Sequence, residues 1–137
     1  IVGAESLSSQ QYIDIAGQAA EGTVITNVID WGSQLPEIVD FLKAYEAATK
    51  TKAEAVSAST HAAVTILVAA MRKANSDEPA KIRAALETTE ATTAIGRISF
   101  NRLHEVKKGF PLSVVREGKW QRFGSVDDAV LLAPPEQ

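Results

Sequence analysis

Apolar and polar positions along the chain predict helices that alternate with short strands. Thr23 to Val28 is nearly continuous in β-branched residues, as expected for a strand buried on both faces of a parallel sheet. Elsewhere apolar residues recur at helical spacing and are bounded by capping residues or prolines. We therefore predict helices from Ser8 or Ser9 to Ala20, from Pro36 through Tyr45, from about Ser57 to Ala74, and from about Pro79 to Thr88.

The third predicted helix contains the longest apolar run. Leu, Val, Ile and Ala occupy every face between Ala62 and Met71, so we expect a buried core helix with Leu67 in the interior. The run spans ten residues, whereas a helix that crosses a bilayer needs about 20. No membrane-spanning segment is predicted.

The remaining strands are indicated by shorter patterns. Thr88 to Thr93 is a poor helix former and is predicted as a connection, and the tail with Pro134-Pro135 is expected to fray. The sequence as a whole predicts an α/β fold with parallel sheets flanked by helices. The predicted strands are the strand end Ile1-Val2-Gly3, the alternating segment Gly96 to Phe100, and a hairpin of Leu112–Arg116 and Lys119–Phe123 around Glu117-Gly118.

Composition narrows the function classes. Lys+Arg 14 against Asp+Glu 17 gives a net charge of -3 without a basic stripe, which disfavours nucleic acid as a partner. With Cys 0 and His 2 the chain offers no disulfide, thiolate metal site or cysteine nucleophile. Neither a nucleophile elbow nor a glycine-rich phosphate loop occurs, so we predict no enzyme activity, no cofactor and no metal. The start at Ile1, without Met or a leader, is read as a mature or truncated product.

Two residues are candidates for ligand contact from their positions alone. Glu5 follows an apolar strand end and a glycine, at the edge of a parallel sheet where ligands collect. Its carboxylate fits either cation or ammonium binding or simple solvation at a helix start. His61 follows Ser57, Ser59 and Thr60 at a predicted helix start, which suits an anion, although a capped, partly buried histidine is favoured.

The chain resembles the type I periplasmic solute-binding proteins of branched-chain amino acid ABC importers. The resemblance spans nearly the whole chain and depends on the order and spacing of its pieces. These are Ile1-Val2-Gly3-Ala4-Glu5, Ala16-Gly17 with Ala20-Glu21-Gly22 before the strand Thr23 to Thr26, Phe41 to Tyr45, Thr60 to Val64, and Gly96 to Phe100.

The resemblance implies a carboxyl-terminal portion of a protein with two α/β lobes joined by three crossing segments. By position, residues 1–26 would belong to the second lobe and residues 27–31 would form the second crossing. Residues 32–111 would return to the first lobe, and residues 112–137 would form the third crossing and re-enter the second lobe.

The resemblance also implies the substrate-binding residues Glu5, Ser6 and Val56. Glu5 matches the acidic residue that accepts hydrogen bonds from the ligand's ammonium group, and Ser6 follows it. Val56 matches an apolar first-lobe position that touches the ligand side chain, with ordinary helix-start packing as the alternative. Two departures loosen the substrate assignment: His61 replaces a common Tyr, and Asn101 to Lys108 replaces an acidic, glycine-containing turn.

The implied function is to bind a small solute between two lobes in the periplasm and deliver it to a membrane permease. Branched-chain amino acids lead the substrate candidates, followed by aromatic acids and amides. The alternative function is a ligand-sensing domain of a receptor or regulator with the same fold. Alone, the chain is expected not to bind the solute usefully and to self-associate through exposed surfaces and edges.

Overall fold

The computed structural model describes residues 1–128. The chain divides into two compact units, the first formed by Ile1–Gly32 with Gly109–Asp127 and the second by Ser33–Lys108. The expected fraying at Pro134-Pro135, and the last part of the 112–137 segment, lie outside the described residues.

Helices and strands are distributed over both units. The first and last segments of the chain make one sheet, and the middle makes a helical layer with a smaller sheet. In chain order the elements are β1 (Val2–Gly3), α1 (Gln10–Ala16), β2 (Val24–Thr26), α2 (Pro36–Thr49), α3 (Ala55–Ala74), α4 (Pro79–Leu86), β3 (Ala91–Thr93), β4 (Gly96–Phe100), β5 (Val106–Lys107), β6 (Phe110–Arg116) and β7 (Lys119–Val126), with 3-10 turns at Glu5–Leu7 and Gly17–Ala20.

The first unit contains a mixed sheet. Its strand order is β1-β2-β6-β7, in which β1 and β2 are parallel and the other neighbours are antiparallel. The α/β class is confirmed, and the expected parallel pairing holds for one pair of strands.

Burial in β2 differs from the expectation of two covered faces. Thr23, Ile25, Asn27 and Ile29 are buried, whereas the residues between them are partly or fully exposed. Burial therefore alternates at period two, because only one face of the strand is fully covered.

The helix that covers this face begins as predicted and ends early. The Ser9 hydroxyl accepts a hydrogen bond from the Tyr12 amide, and Gly17 has a φ of 54° that ends the α-helix. The chain continues to Ala20 as a 3-10 turn. The core combines Ile13, Ala20 and Val115, with Tyr12 and Trp120 packed against it.

The predicted hairpin around Glu117-Gly118 is confirmed. Arg116 pairs with Lys119, so the turn has two residues, and both have positive φ values of 54° and 67°. This conformation matches the right-handed twist of the strands and is accessible to glycine at little cost. The Glu21 carboxylate accepts hydrogen bonds from the amides of both turn residues, at 3.1 and 2.6 Å, and ties the turn to the start of β2.

In the second unit, α2 and α3 begin and end at recognisable signals. Pro36 lies at the first position of α2, and Lys50, with φ of 61°, ends the helix one turn beyond Tyr45. The α3 helix begins at Ala55, where the side chains of Glu54 and Ser57 form a reciprocal capping box. Asn75 ends it in the left-handed conformation, as expected.

The prediction that α3 is buried all round is wrong for the described residues. Ala58, Ala62, Ile66 and Ala70 are buried along one stripe, which faces α4 and β3. Leu67 is 43% exposed, because no described element covers the opposite face. With a mean hydropathy of 1.3, the helix is long and apolar enough to cross a membrane. A single helix of this kind is weak evidence of a membrane span, since the core helix of a soluble protein passes the same test.

The smaller sheet contains two strands that the sequence did not predict. The stretch predicted as a connection includes β3, which pairs with β4 around a turn at residues 94 and 95. The Thr93 hydroxyl accepts a hydrogen bond from the Ile95 amide and donates one to the Gly96 carbonyl, and so fixes this turn. The other strand, β5, pairs with β4 beyond the loop that starts at Asn101.

Candidate functional site

Glu5 lies at the carboxyl end of β1, in the short 3-10 turn Glu5–Leu7. Because β1 and β2 are parallel, their carboxyl ends meet at one edge of the sheet, and Glu5 stands at that edge. The residue is partly buried. Its carboxylate makes no hydrogen bond or ion pair within residues 1–128.

Gly3 lies against the side chain of Leu7, in the turn that carries Glu5. A Cβ built on Gly3 would lie 2.5 Å from Leu7 Cδ1, so a larger residue would require the end of that side chain to shift. Ser6 occupies the next position of the turn and is exposed. Glu5 and Ser6 are thus brought together in the first unit.

Val56 lies in the second unit, in the first turn of α3. Its side chain is 73% exposed among residues 1–128. The Val56 carbonyl accepts a hydrogen bond from the Thr60 hydroxyl, a contact that does not involve the Val56 side chain.

The favoured interpretation of His61, a partly buried histidine at a helix start, is wrong. The helix begins at Ala55, so His61 lies in its second turn, where it is exposed and packs its ring 4.8 Å from the ring of Phe41. The anion alternative also loses its basis, because His61 lies beyond the first helical turn, whose backbone amides are the free ones.

A cavity of about 390 Å³ in the first unit was not predicted from the sequence. Asp30 forms part of its wall, accepting hydrogen bonds from Arg122 Nε at 3.0 Å and from the Gly32 amide at 3.1 Å. Trp120 lines the same cavity, and its Nε1 is buried without a partner among residues 1–128. The pairing of Asp30 with a residue 92 positions later has no local signal in the sequence.

A pair of shifted pKa values lies away from these residues. Glu90 accepts a hydrogen bond from Arg97 across the hairpin of β3 and β4, and this bond together with the guanidinium charge lowers the pKa of Glu90. The same pairing raises the pKa of Arg97. Both side chains are exposed, so the pair belongs to the surface. No group of three or more His, Cys, Asp or Glu in the described part of the chain is arranged to hold a metal ion.

These features define an α/β protein with a free carboxylate at a sheet edge and no identified catalytic cluster. Comparison with known proteins identifies the family of the chain. A family model described as periplasmic binding protein matches residues 1–119. The chain therefore belongs to the periplasmic binding protein family.

Individual relatives agree with this assignment. The Leu/Ile/Val-binding protein BraC3 of Rhizobium johnstonii is 33% identical over 122 residues, which are 87% of this chain and 33% of that protein. The leucine-binding protein LivK of Thermotoga maritima has a TM-score of 0.77 at 21% identity, covering 93% of this chain and 37% of that one. A solute-binding protein of an R. palustris ABC transporter, solved with benzoate, has a TM-score of 0.68 at 21% identity, covering 85% of this chain and 34% of that one.

The chain spans about a third of the length of these relatives. The expected resemblance is confirmed by the family match, and so is the expectation that the chain is not an enzyme, since the family consists of binding proteins.

Proposed function

We propose that the chain is part of the solute-binding component of an ABC importer, and that Glu5 accepts the ammonium group of an amino acid. Family membership and the Leu/Ile/Val-binding relative support this function. The proposed location is the periplasm, and the proposed partner is a membrane permease.

The observation that carries the proposal is the state of the Glu5 carboxylate. It is partly removed from water at the open edge of the sheet, and no group within residues 1–128 neutralises or hydrogen-bonds it. A carboxylate in this state gains from a charge-assisted hydrogen bond to an ammonium ion, which is shorter and stronger than a neutral one. Closing the first lobe over the pair would lower the local dielectric and strengthen it.

The chemistry of Glu5 also favours an amino acid over a simple acid. A relative was solved with benzoate, which has a carboxylate and no ammonium group. An unpaired Glu5 would repel such a ligand and leave its own charge uncompensated. We therefore place a branched-chain amino acid ahead of an aromatic acid as the solute.

Ser6 and Val56 complete the proposed contacts. The exposed hydroxyl of Ser6 is next to Glu5 and is available to a polar group of the solute. Val56 offers an exposed apolar side chain, which suits a branched aliphatic ligand. In this proposal residues 1–26 and 112–137 serve the second lobe, residues 32–111 serve the first, and crossing segments run at residues 27–31 and at the start of 112–137.

The test is a calorimetric titration of a two-lobed protein that carries this chain with an amino-terminal part, either its own or that of the Rhizobium johnstonii relative. We expect saturable binding of leucine, and binding of benzoate at least about tenfold weaker. The chain alone is the matched control and should bind neither. Tighter binding of benzoate than of leucine would contradict the proposed role of Glu5.

A further inference from the structure

We propose that Leu7 is a positioning residue, which holds the turn that carries the Glu5 carboxylate in place at the edge of the sheet. The inference rests on the proposed function, because it concerns how the contact between Glu5 and the solute is built. Leu7 is the last residue of the 3-10 turn Glu5–Leu7, and its side chain is partly buried.

The side chain of Leu7 fills the space that a glycine leaves on β1. A Cβ at Gly3 would lie 2.5 Å from Leu7 Cδ1 and 3.5 Å from Ile25 Cγ2. Gly3 is the register partner of Ile25 in β2, and Ile25 is 1% exposed. Leu7 therefore packs on the backbone of β1 beside a core residue, on the covered face of the sheet.

Within residues 1–128, Leu7 is the side-chain anchor of this turn. The backbone closes the turn through two hydrogen bonds, from the Leu7 amide to the Ala4 carbonyl at 3.0 Å and from the Ser8 amide to the Glu5 carbonyl at 2.8 Å. Both bonds are local and do not tie the turn to the sheet. Ala4 supplies no side-chain cap, and the side chains of Glu5 and Ser6 make no hydrogen bond in the described part of the chain.

The geometry of the turn lets Leu7 act on Glu5 without touching the solute. At about 3.0 residues per turn, side chains two positions apart project about 120° from each other, so Leu7 can face the sheet while Glu5 faces elsewhere. A binding group has to be held within about 0.5 Å of its working position by packed neighbours. Loss of the Leu7 side chain should therefore loosen the Glu5 carboxylate and weaken its contact with an ammonium group.

The first test measures leucine binding by calorimetry to the two-lobed protein that carries this chain. Leu7→Ala should weaken leucine at least about fivefold, because the turn loses its anchor. Leu7→Met conserves volume and should keep most of the affinity. In a Glu5→Gln background, Leu7→Ala should have no further effect, since Leu7 acts through Glu5. The matched control is Ile13→Val, which trims a buried side chain of α1 in the same unit and should lower stability without changing leucine binding.

The second test follows the turn without any solute. Backbone amide NMR relaxation of the 137-residue chain gives the order parameter at Glu5, which is about 0.85 for a rigid backbone and below about 0.6 for a flexible one. We expect a rigid Glu5 in the unmodified chain and in Leu7→Met, and a flexible Glu5 in Leu7→Ala.

Three results would overturn the proposal. These are a Glu5 that stays rigid in Leu7→Ala, a Leu7→Ala variant that binds leucine normally, and a loss of affinity that is equally large in the Glu5→Gln background. Failure of the proposed function has a different signature: Glu5→Gln would then leave leucine binding unchanged. The relaxation measurement would still decide whether Leu7 fixes the turn.

Discussion

Two neighbouring residues of α3 are expected to differ sharply in their effect on stability. Ile66 is 5% exposed on the side of α3 that faces α4 and β3, and Leu67 is 43% exposed on the opposite side. Both are large aliphatic residues in the same helical turn. Truncating each to Ala therefore removes side chains of similar size and chemistry that differ mainly in how far they are buried.

The magnitudes follow from burial. Ile66→Ala removes a buried side chain and leaves a cavity, which typically costs about 2 to 5 kcal/mol in the free energy of unfolding. Leu67→Ala removes atoms that already contact water over nearly half of their surface and leaves no enclosed cavity, so we expect a loss below about 1 kcal/mol. Ala also has a higher helix propensity than Leu, which offsets part of that loss.

The assay is urea unfolding followed by far-UV circular dichroism, with the free energy taken from linear extrapolation. Both variants and the unmodified chain are measured at the same protein concentration. Equal losses for both variants would refute the assignment of Leu67 to an exposed face.

Two further predictions concern single contacts. Tyr12→Phe removes the 2.9 Å hydrogen bond between the Tyr12 hydroxyl and the hydroxyl of the fully buried Thr23, and should cost about 1 to 3 kcal/mol of unfolding free energy in a urea melt; an unchanged midpoint would contradict this. The Glu90 carboxyl should titrate below its ordinary pKa in an NMR pH series. Its contact with Arg97 therefore contributes fully above the pKa that Glu90 has in the unfolded chain, and the contribution is lost as the pH falls through the lower pKa of the folded state. Arg97→Gln should return the pKa of Glu90 toward its ordinary value.

Helix ends and the two-residue hairpin turn could be predicted, because short sequence signals specify them. Pro36 and Asn75 mark helix ends, and Glu117-Gly118 has the residue types that a two-residue hairpin requires. The β3 strand was missed because its turn uses the Thr93 side chain instead of a glycine or asparagine pair. A β-branched, polar segment of this kind looks like a connection until its partner strand is known.

Whether a side chain is buried depends on the elements that pack against it, and the sequence around that side chain does not show them. The apolar residues around Leu67 indicated a helix, but not which of its two apolar faces the described chain covers. His61 was misplaced for a related reason: the capping box starts the helix at Ala55, earlier than the serines suggested. The position of Glu5 just after a strand end could be predicted, because strand direction fixes that edge. The Asp30–Arg122 pair could not, because the two residues are distant in sequence.

The most direct test of the proposed role of Glu5 compares leucine with 4-methylpentanoate, which has the same side chain and carboxylate but no ammonium group. Both ligands are titrated by calorimetry into the two-lobed protein with Glu5 intact and with Glu5→Gln. We predict that Glu5→Gln weakens leucine at least about tenfold, since it leaves a buried ammonium uncompensated, and does not weaken 4-methylpentanoate. An equal effect on both ligands, or none on leucine, would contradict the contact between Glu5 and the ammonium group.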